Sequence, residues 1–260
     1  MVPAAAATDV LEVLHAVATA IRSALDDLED WGLAGTNDWQ YRHDLVADAV
    51  GCELLLQAGY GVLSEESGLH DADRELLVVI DPVDGSTNAA RQIPWFATSL
   101  CALDEHGPLA AVVANLATGS RFDAVRGGGA HRDGVPIAPA PTAAMGAAVV
   151  ATSGWPPSHL GWSQFRCLGA AALDLCAVAC GTLDGFVDWG RQSLSPWDYL
   201  GGLLVCREAG AMVGDAWGRD PVSRETGGRR TIIAAATPAL QAALAGARRA
   251  HPPSPGQGTA

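Results

Sequence analysis

The sequence predicts a mixed α/β protein with alternating layers of helix and sheet, on three observations. Up to Gly59 the apolar residues recur at helical spacing. From Gly61 to about residue 152 the chain switches to short β-rich runs separated by turn signals. From about 168 helices and strands alternate. No stretch of 20–50 residues repeats.

The first helix is predicted over 8–29. Val10, Leu11, Leu14, Val17, Ile21, Leu25 and Leu28 recur at three- and four-residue steps, the stripe of an amphipathic helix. Thr8 and Asp9 are suitable caps. Residues 32–41 are polar and contain glycine, which predicts a loop, and a second helix fits 44–58, stopping at Gly59. Gly61-Val-Leu-Ser reads as a short strand, and Leu76–Ile80 as a β-rich run ending on Asp81-Pro82. Strands follow near 97–104, 109–115, 121–125 and 147–152, with Glu-His-Gly-Pro at 105–108 and Gly-Gly-Gly at 127–129 as turns. Then come a helix at 169–181, a strand at 183–189, a helix at 197–210, strands at 211–214 and 231–236, and a helix at 238–249. The Pro/Gly/Ser-rich tail, 251–260, is predicted disordered.

Composition narrows the function classes. A hydrophobic fraction of 49% with 17% charged residues excludes a disordered chain. The net charge is −13, and all 16 basic residues are arginine. Such a balance argues against nucleic acid as the main partner, since phosphate backbones need a basic face. It leaves room for a small phosphate held through cations that the acids recruit. No run approaches the roughly 20 apolar residues of a membrane span, and the N-terminus lacks a basic stretch before Asp9 and Glu12. The six cysteines form no CxxC pair and sit in apolar surroundings, the pattern of reduced core thiols in a cytoplasmic protein.

Chemistry concentrates in three places. Asp81-Pro-Val-Asp-Gly-Ser-Thr-Asn88 delivers two carboxylates from the end of an apolar strand into what reads as the first turn of a short helix. Carboxylates suit hard cations, and a helix N-terminus offers N–H groups to an oxyanion. Ser64-Glu-Glu-Ser67 follows another short strand, and Trp197-Asp198 opens an Ala/Gly/Leu-rich helix. Each alone also reads as a capped turn, a solvated loop or a first-turn acid. Their joint occurrence, each acid at an element terminus, points to metal-assisted phosphate chemistry.

These segments resemble the motifs G-E-E-[ST], D-P-[IVL]-D-G-[ST]-T-N and W-D-x-A-[AG] of the inositol monophosphatase family of Mg2+-dependent, lithium-sensitive phosphatases. Arg126–Ile137 resembles the family's R-x-G-x-G-A hairpin, Arg166–Cys176 its R-x-x-G-[ST]-A-A-x-[DN] segment, and Gly181–Asp188 its G-x-x-D-[AG]-[FY]-x-[DE] segment. The resemblance covers about 8–250. It implies a layered αβαβα sandwich of the inositol monophosphatase / fructose-1,6-bisphosphatase type. One domain is expected over 1–250, with an N-terminal half at about 8–142 and a C-terminal half at about 146–250.

The same resemblance implies the site. Glu65, Asp81 and the Val83 carbonyl would hold a first Mg2+, Asp81, Asp84 and Asp198 a second, and a weaker third ion would touch Glu65. Gly85 and Ser86 would give N–H groups to the phosphate, and Ser86 would help orient the attacking water. Gly169, Ala170 and Ala171 would line the sugar pocket, and Asp188 would bond substrate hydroxyls. Asp44, 21 residues before Glu65, is the candidate water-activating acid beside Glu65 and Ser86. An alternative register puts Val50 there. The segment departs from the family's Lys followed by P-V-T-x-x-D: it reads Trp39-Gln-Tyr-Arg-His-Asp44, with Tyr41 for the Thr and no Lys. His43 reads as a surface loop histidine. Trp95, Trp189 and Trp197 stand near enough to the motifs to border the pocket.

The expectation is a cytoplasmic homodimer with two to three Mg2+ ions. It would hydrolyse a small cyclitol or sugar monophosphate, with no nucleic-acid or membrane partner. A histidinol-phosphatase or nucleoside-monophosphate phosphatase of the same family is the alternative substrate reading. A non-catalytic binding or regulatory paralogue is the alternative of another class.

Overall fold

The computed structural model describes residues 4–36, 40–190 and 194–252. Two helices come first, α1 (Ala4–Asp26) and α2 (Arg42–Gln57). The first sheet contains β1 (Gly61–Ser64), β2 (Gly68–His70), β3 (Leu77–Asp84), β4 (Ala97–Asp104), β5 (Gly107–Asn115), β6 (Arg121–Val125), β7 (Gly129–Arg132) and β8 (Val135–Pro136). A short helix, α3 (Ser86–Ala90), interrupts it after β3. The second sheet contains β9 (Val149–Ser153), β10 (Gln164–Arg166), β11 (Gly185–Asp188), β12 (Met212–Asp215) and β13 (Ile232–Ala235). Helices α4 (Ala171–Ala179), α5 (Pro196–Ala209) and α6 (Pro238–Ala250) complete the chain.

The strand orders are β2-β1-β3-β4-β5-β6-β7-β8 and β10-β9-β11-β13-β12. In the first sheet only β1 and β3 run parallel. Three cores set the layers. Val10, Leu14, Val17, Ile21 and Leu25 of α1 and Ala47 and Leu55 of α2 pack on one face of the first sheet, against Val78, Ile80, Leu100 and Val112. The opposite face, with Val79, Cys101 and Val113, packs on α4 and α5, which also meet Ala151, Phe186 and Ala234 of the second sheet. Leu240 and Leu244 of α6 cover the far face of that sheet with Val150, Val187 and Ile233. The architecture is therefore an αβαβα sandwich. Helix α4 is buried at every position, as a helix between two sheets must be.

The elements depart from the sequence expectation where tertiary packing overrides local pattern. Helix α1 begins at Ala4 because four alanines extend it cheaply. The hairpin strands β7 and β8 and the edge strands β2 and β10 are short and largely solvent-facing, so no apolar run announced them. Strand β3 does not end at Ile80. It continues through Asp84, with a register shift against β4 between Asp81 and Asp84. Pro82 has no N–H to give a ladder, and it sits in that irregularity. Its carbonyl accepts the Thr98 hydroxyl at 2.8 Å. Of the predicted disordered tail, 253–260 lies outside the described residues. Among the described residues no helix is long and apolar enough to cross a membrane. All six cysteines are free, and Cys52, Cys101, Cys176 and Cys206 are buried.

The middle layer depends on close approach at Gly201 and Gly202. A Cβ on Gly202 would lie 2.6 Å from Leu175 Cβ and 3.1 Å from the Ala172 carbonyl oxygen. One on Gly201 would lie 2.8 Å from the Ser99 hydroxyl oxygen. Gly202→Ala must push α5 off α4, an overpacking cost of about 1–3 kcal/mol. Its melting temperature is expected to fall by several degrees. An unchanged melting temperature would show that α4 and α5 are not in close contact here.

Candidate active site

Five acids expected at the site come from four elements. Glu65 follows β1, and its N–H bonds the Ile80 carbonyl at 3.2 Å. Asp81 and Asp84 lie on the last turn of β3's irregular end and are both buried. Asp198 is in the first turn of α5, where its carboxylate accepts the Ser195 N–H at 2.6 Å, the acid of a capping box. Asp44 is in the first turn of α2 and accepts the Tyr41 N–H at 3.0 Å. Asp84 accepts the Ala172 N–H at 2.7 Å, at the start of α4. Four helix N-termini (α2, α3, α4 and α5) thus face the group, where N–H groups and dipoles favour negative charge.

The carboxyls crowd one another. Glu65 and Asp81 stand near enough for each to bias the other's proton, Asp81 drawing Glu65 down and Glu65 raising Asp81. Burial and then the charge of Asp198 push Glu65 up to about 8, although its residue keeps one side open to solvent. Asp81 is raised well above the usual carboxylate range by burial, then by Glu65, Asp84 and Asp198. Asp84 is raised likewise by burial and Asp198. Burial lifts Asp198 to about 7, against the Ser195 N–H and the charge of Arg229. Asp81 Oδ1 is buried with no hydrogen-bond partner.

This donor chemistry fits hard divalent cations: all-oxygen ligands, mutually repelling and kept neutral only by protons. The side chains are neighbours and not a closed cage. Among the described residues no three His, Cys, Asp or Glu side chains already gather round one cation position. The Val83 carbonyl accepts the Ser86 hydroxyl at 3.0 Å. Ser86 also lies near enough to the Asp44 carboxylate for its hydroxyl to favour the charged form. Val50 packs with the outer core of α1 and α2, so it is Asp44 that meets Ser86.

Gly85 holds φ 91° and ψ 39°, the left-handed region, and caps α3. A Cβ there would lie 3.1 Å from the carbonyl oxygens of Gly169 and Trp95 and 3.2 Å from Ala170 Cβ. Gly169 and Ala170 are therefore brought against the phosphate-binding candidates Gly85 and Ser86. Asp188 ends β11, near enough to Asp198 to raise it. It is fully buried, with Oδ1 accepting the Gly190 N–H at 2.8 Å.

Three supporting residues carried no assigned role in the sequence. Asn88 donates to the carbonyls of Trp95 and Leu168, each at 2.7 Å, and ties α3 to the segment before α4. It stood inside the Asp81–Asn88 motif, which was its signal. Arg248 is buried on α6 and donates to the carbonyls of Asp188 and Gly190, both at 2.8 Å, fixing the chain after β11. His43 is a correction. It is fully buried and not on a surface loop, because its ring stacks between Trp31 (5.0 Å) and Tyr41 (5.1 Å). Trp39 lies outside the described residues.

An acid cluster at strand ends, faced by helix N-termini, has the donor chemistry for hard cations and for an oxyanion. The model of the inositol monophosphatase family matches residues 4–252, and the chain belongs to that family, whose members are phosphatases. It is 37% identical over 207 residues to the inositol-1-monophosphatase of Rhizobium meliloti, covering 72% of this chain and 75% of that one. It is 33% identical over 202 residues to the Nus factor SuhB of Escherichia coli, covering 71% and 74%. The solved inositol monophosphatase of Anabaena (Nostoc) superposes with a TM-score of 0.79 at 28% identity, covering 95% of this chain and 97% of that one.

Asp174 borders this region. It is buried, accepts the Trp95 indole N–H at 2.9 Å, and is pushed by burial from 3.8 to about 8. The folded protein thus keeps a proton that the unfolded chain releases between pH 3.8 and about 8, and stability falls as pH rises through that window. Asp174→Asn keeps an acceptor for Trp95 and removes the titration. The melting temperature of the variant relative to the wild type should rise by several degrees as pH goes from 3.8 to about 8. A difference that does not change with pH would show that this carboxyl titrates normally.

Proposed function

We propose that the protein is a Mg2+-dependent phosphomonoesterase that hydrolyses a small cyclitol or sugar monophosphate to the alcohol and phosphate. The observation that carries this reading is the meeting of Glu65, Asp81, Asp84 and Asp198 beside the Asp44–Ser86 pair. The inositol-1-monophosphatase relative supports the substrate class. Glu65, Asp81, Asp84, Asp198 and the Val83 carbonyl would hold two to three Mg2+ ions. Bound there, the cations would neutralise the phosphate and make a water nucleophilic at neutral pH.

The chain's own residues do the rest. The N–H groups of Gly85 and Ser86, at the start of α3, bind the phosphate oxygens. The Ser86 hydroxyl orients the water, and Asp44 takes its proton. Burial, opposed by the Tyr41 N–H and the Ser86 hydroxyl, raises Asp44 to about 6, close to the pH at which a general base works best. Gly169, Ala170 and Ala171 line the side where the alcohol sits. Asp188, anchored by Gly190 and by Arg248 behind it, faces the substrate hydroxyls in this reading. A cytoplasmic homodimer belongs to the same proposal.

A second reading, a binding or regulatory paralogue without turnover, is favoured by the name Nus factor carried by several relatives and by Tyr41 where the family has Thr. Phosphate release from a panel of cyclitol, sugar, nucleoside and histidinol monophosphates separates the two. Release with Mg2+ is expected, lost on chelation and reduced at least about a hundredfold by Asp84→Asn. No release from any ester would favour the binding module, and release from histidinol phosphate alone would reject the cyclitol and sugar class.

A further inference from the structure

A buried histidine stands beside Asp44. His43 Nε2 lies 3.3 Å from Asp44 Oδ1, and both side chains are shut off from solvent. The ring is clamped by Tyr41, nearly parallel at 18°, and by Trp31, tilted at 33°. Trp31 is itself held edge-on by Phe96 at 6.2 Å. Asp44 Oδ2 is taken by the Tyr41 N–H, while Oδ1 has no straight hydrogen-bond partner, and neither has either nitrogen of His43. We propose that His43 is a positioning residue for water activation: its Nε2–H holds Asp44 Oδ1, so that the carboxylate stays turned toward Ser86. The inference rests on the proposed phosphatase reading for its catalytic consequence, but not for its geometry.

Physical chemistry selects this arrangement over the alternatives. Burial pushes His43 down to about 4, so the ring is neutral and carries one N–H. Backbone of Trp31 and of Ser86 lies beside the ring in the sense that favours a bound proton. The nitrogens therefore look out on acceptors, and a single proton must choose among them. A carboxylate is a stronger acceptor than a neutral carbonyl, so the choice falls on Nε2 facing Asp44. At 3.3 Å the two atoms are already within reach, and a turn of the side chains that aligns the N–H with Oδ1 completes the bond. The carboxylate has lone pairs enough for Tyr41, His43 and Ser86 together. The donors are thus a backbone N–H on one oxygen and an imidazole on the other, and neither can swing away.

The clamp makes a clean test possible. His43→Phe keeps the stacked ring and loses the donor. His43→Gln puts an amide N–H near the Nε2 position and loses the ring. A positioning role predicts that Phe lowers kcat by about tenfold or more with KM little changed, and that Gln recovers most of it. A merely structural role predicts the reverse order, with Phe active and stable and Gln impaired. A second readout needs no activity. In a long-range 1H–15N spectrum of the wild type at pH 7, assigned by the signals lost in His43→Phe, the ring proton is expected on Nε2. A proton on Nδ1, or a Phe variant with wild-type kcat, overturns the inference. If the wild-type protein releases phosphate from no ester, the phosphatase reading fails, and the tautomer alone decides whether His43 holds Asp44.

Discussion

The constraint on which this fold turns is the repulsion among four carboxyls of one region, with Asp81 and Asp84 buried and Glu65 and Asp198 nearer its rim. Two unit charges 4 Å apart repel by about 1 kcal/mol in water and about 4 kcal/mol near a protein surface. Glu65, Asp81, Asp84 and Asp198 face that cost several times over, and each answers it by favouring a proton. What keeps them in place is not mutual attraction but the scaffold behind each. Asp84 is bonded to the first turn of α4, Asp198 closes the cap of α5, and Asp81 is locked into β3 against β4. A folded chain that holds such a group together against its own charge is preorganised for positive counter-charge.

That scaffold is shared between the two sheets. Asp81 and Asp84 belong to the first, while Ala172 and Asp198 belong to the helices sandwiched between both. Asn88 reaches from α3 to the Leu168 carbonyl, and Gly85 lies against Gly169 with no room for a side chain. The site therefore exists only when α4 and α5 are seated between the sheets. The close contacts at Gly201 and Gly202 seat α5, which carries Asp198, against α4, whose Ala172 N–H binds Asp84. Arg248 extends the same logic to the far layer, since a helix outside the second sheet fixes the backbone on which Asp188 sits.

Much of this was legible in the sequence, for physical reasons. Acids at the ends of apolar runs are costly unless something holds them, so Asp81, Asp84, Glu65 and Asp198 stood out by position. Asp44 was reached only through the family register and its spacing from Glu65, because nothing in its own polar segment marks it. The end of β3 was not legible. A proline inside a strand reads as a stop, and only the register shift beside β4 lets the strand continue past Pro82. Nor was the burial of His43. Its partners, Trp31 and Tyr41, flank a polar stretch that reads as a loop, and aromatic stacking across that loop leaves no periodic trace in sequence.

The same stretch explains how an altered segment keeps its acid. Where the family has Thr before the acid, this chain has Tyr41, and the essential donor there is the backbone N–H, which any residue but proline supplies. The side chain is then free for another task. It stacks on His43 and brings its hydroxyl to 3.5 Å from Thr87, next to Ser86. Asp44 is thus flanked by an aromatic wall with a histidine set in it. Such a wall excludes water, and the exclusion accounts for the first cause of the raised Asp44 carboxyl. On the proposed reading, the substitution does not weaken the base. It places the base in a drier and stiffer setting, which raises its proton affinity toward neutrality and narrows the directions in which it can point.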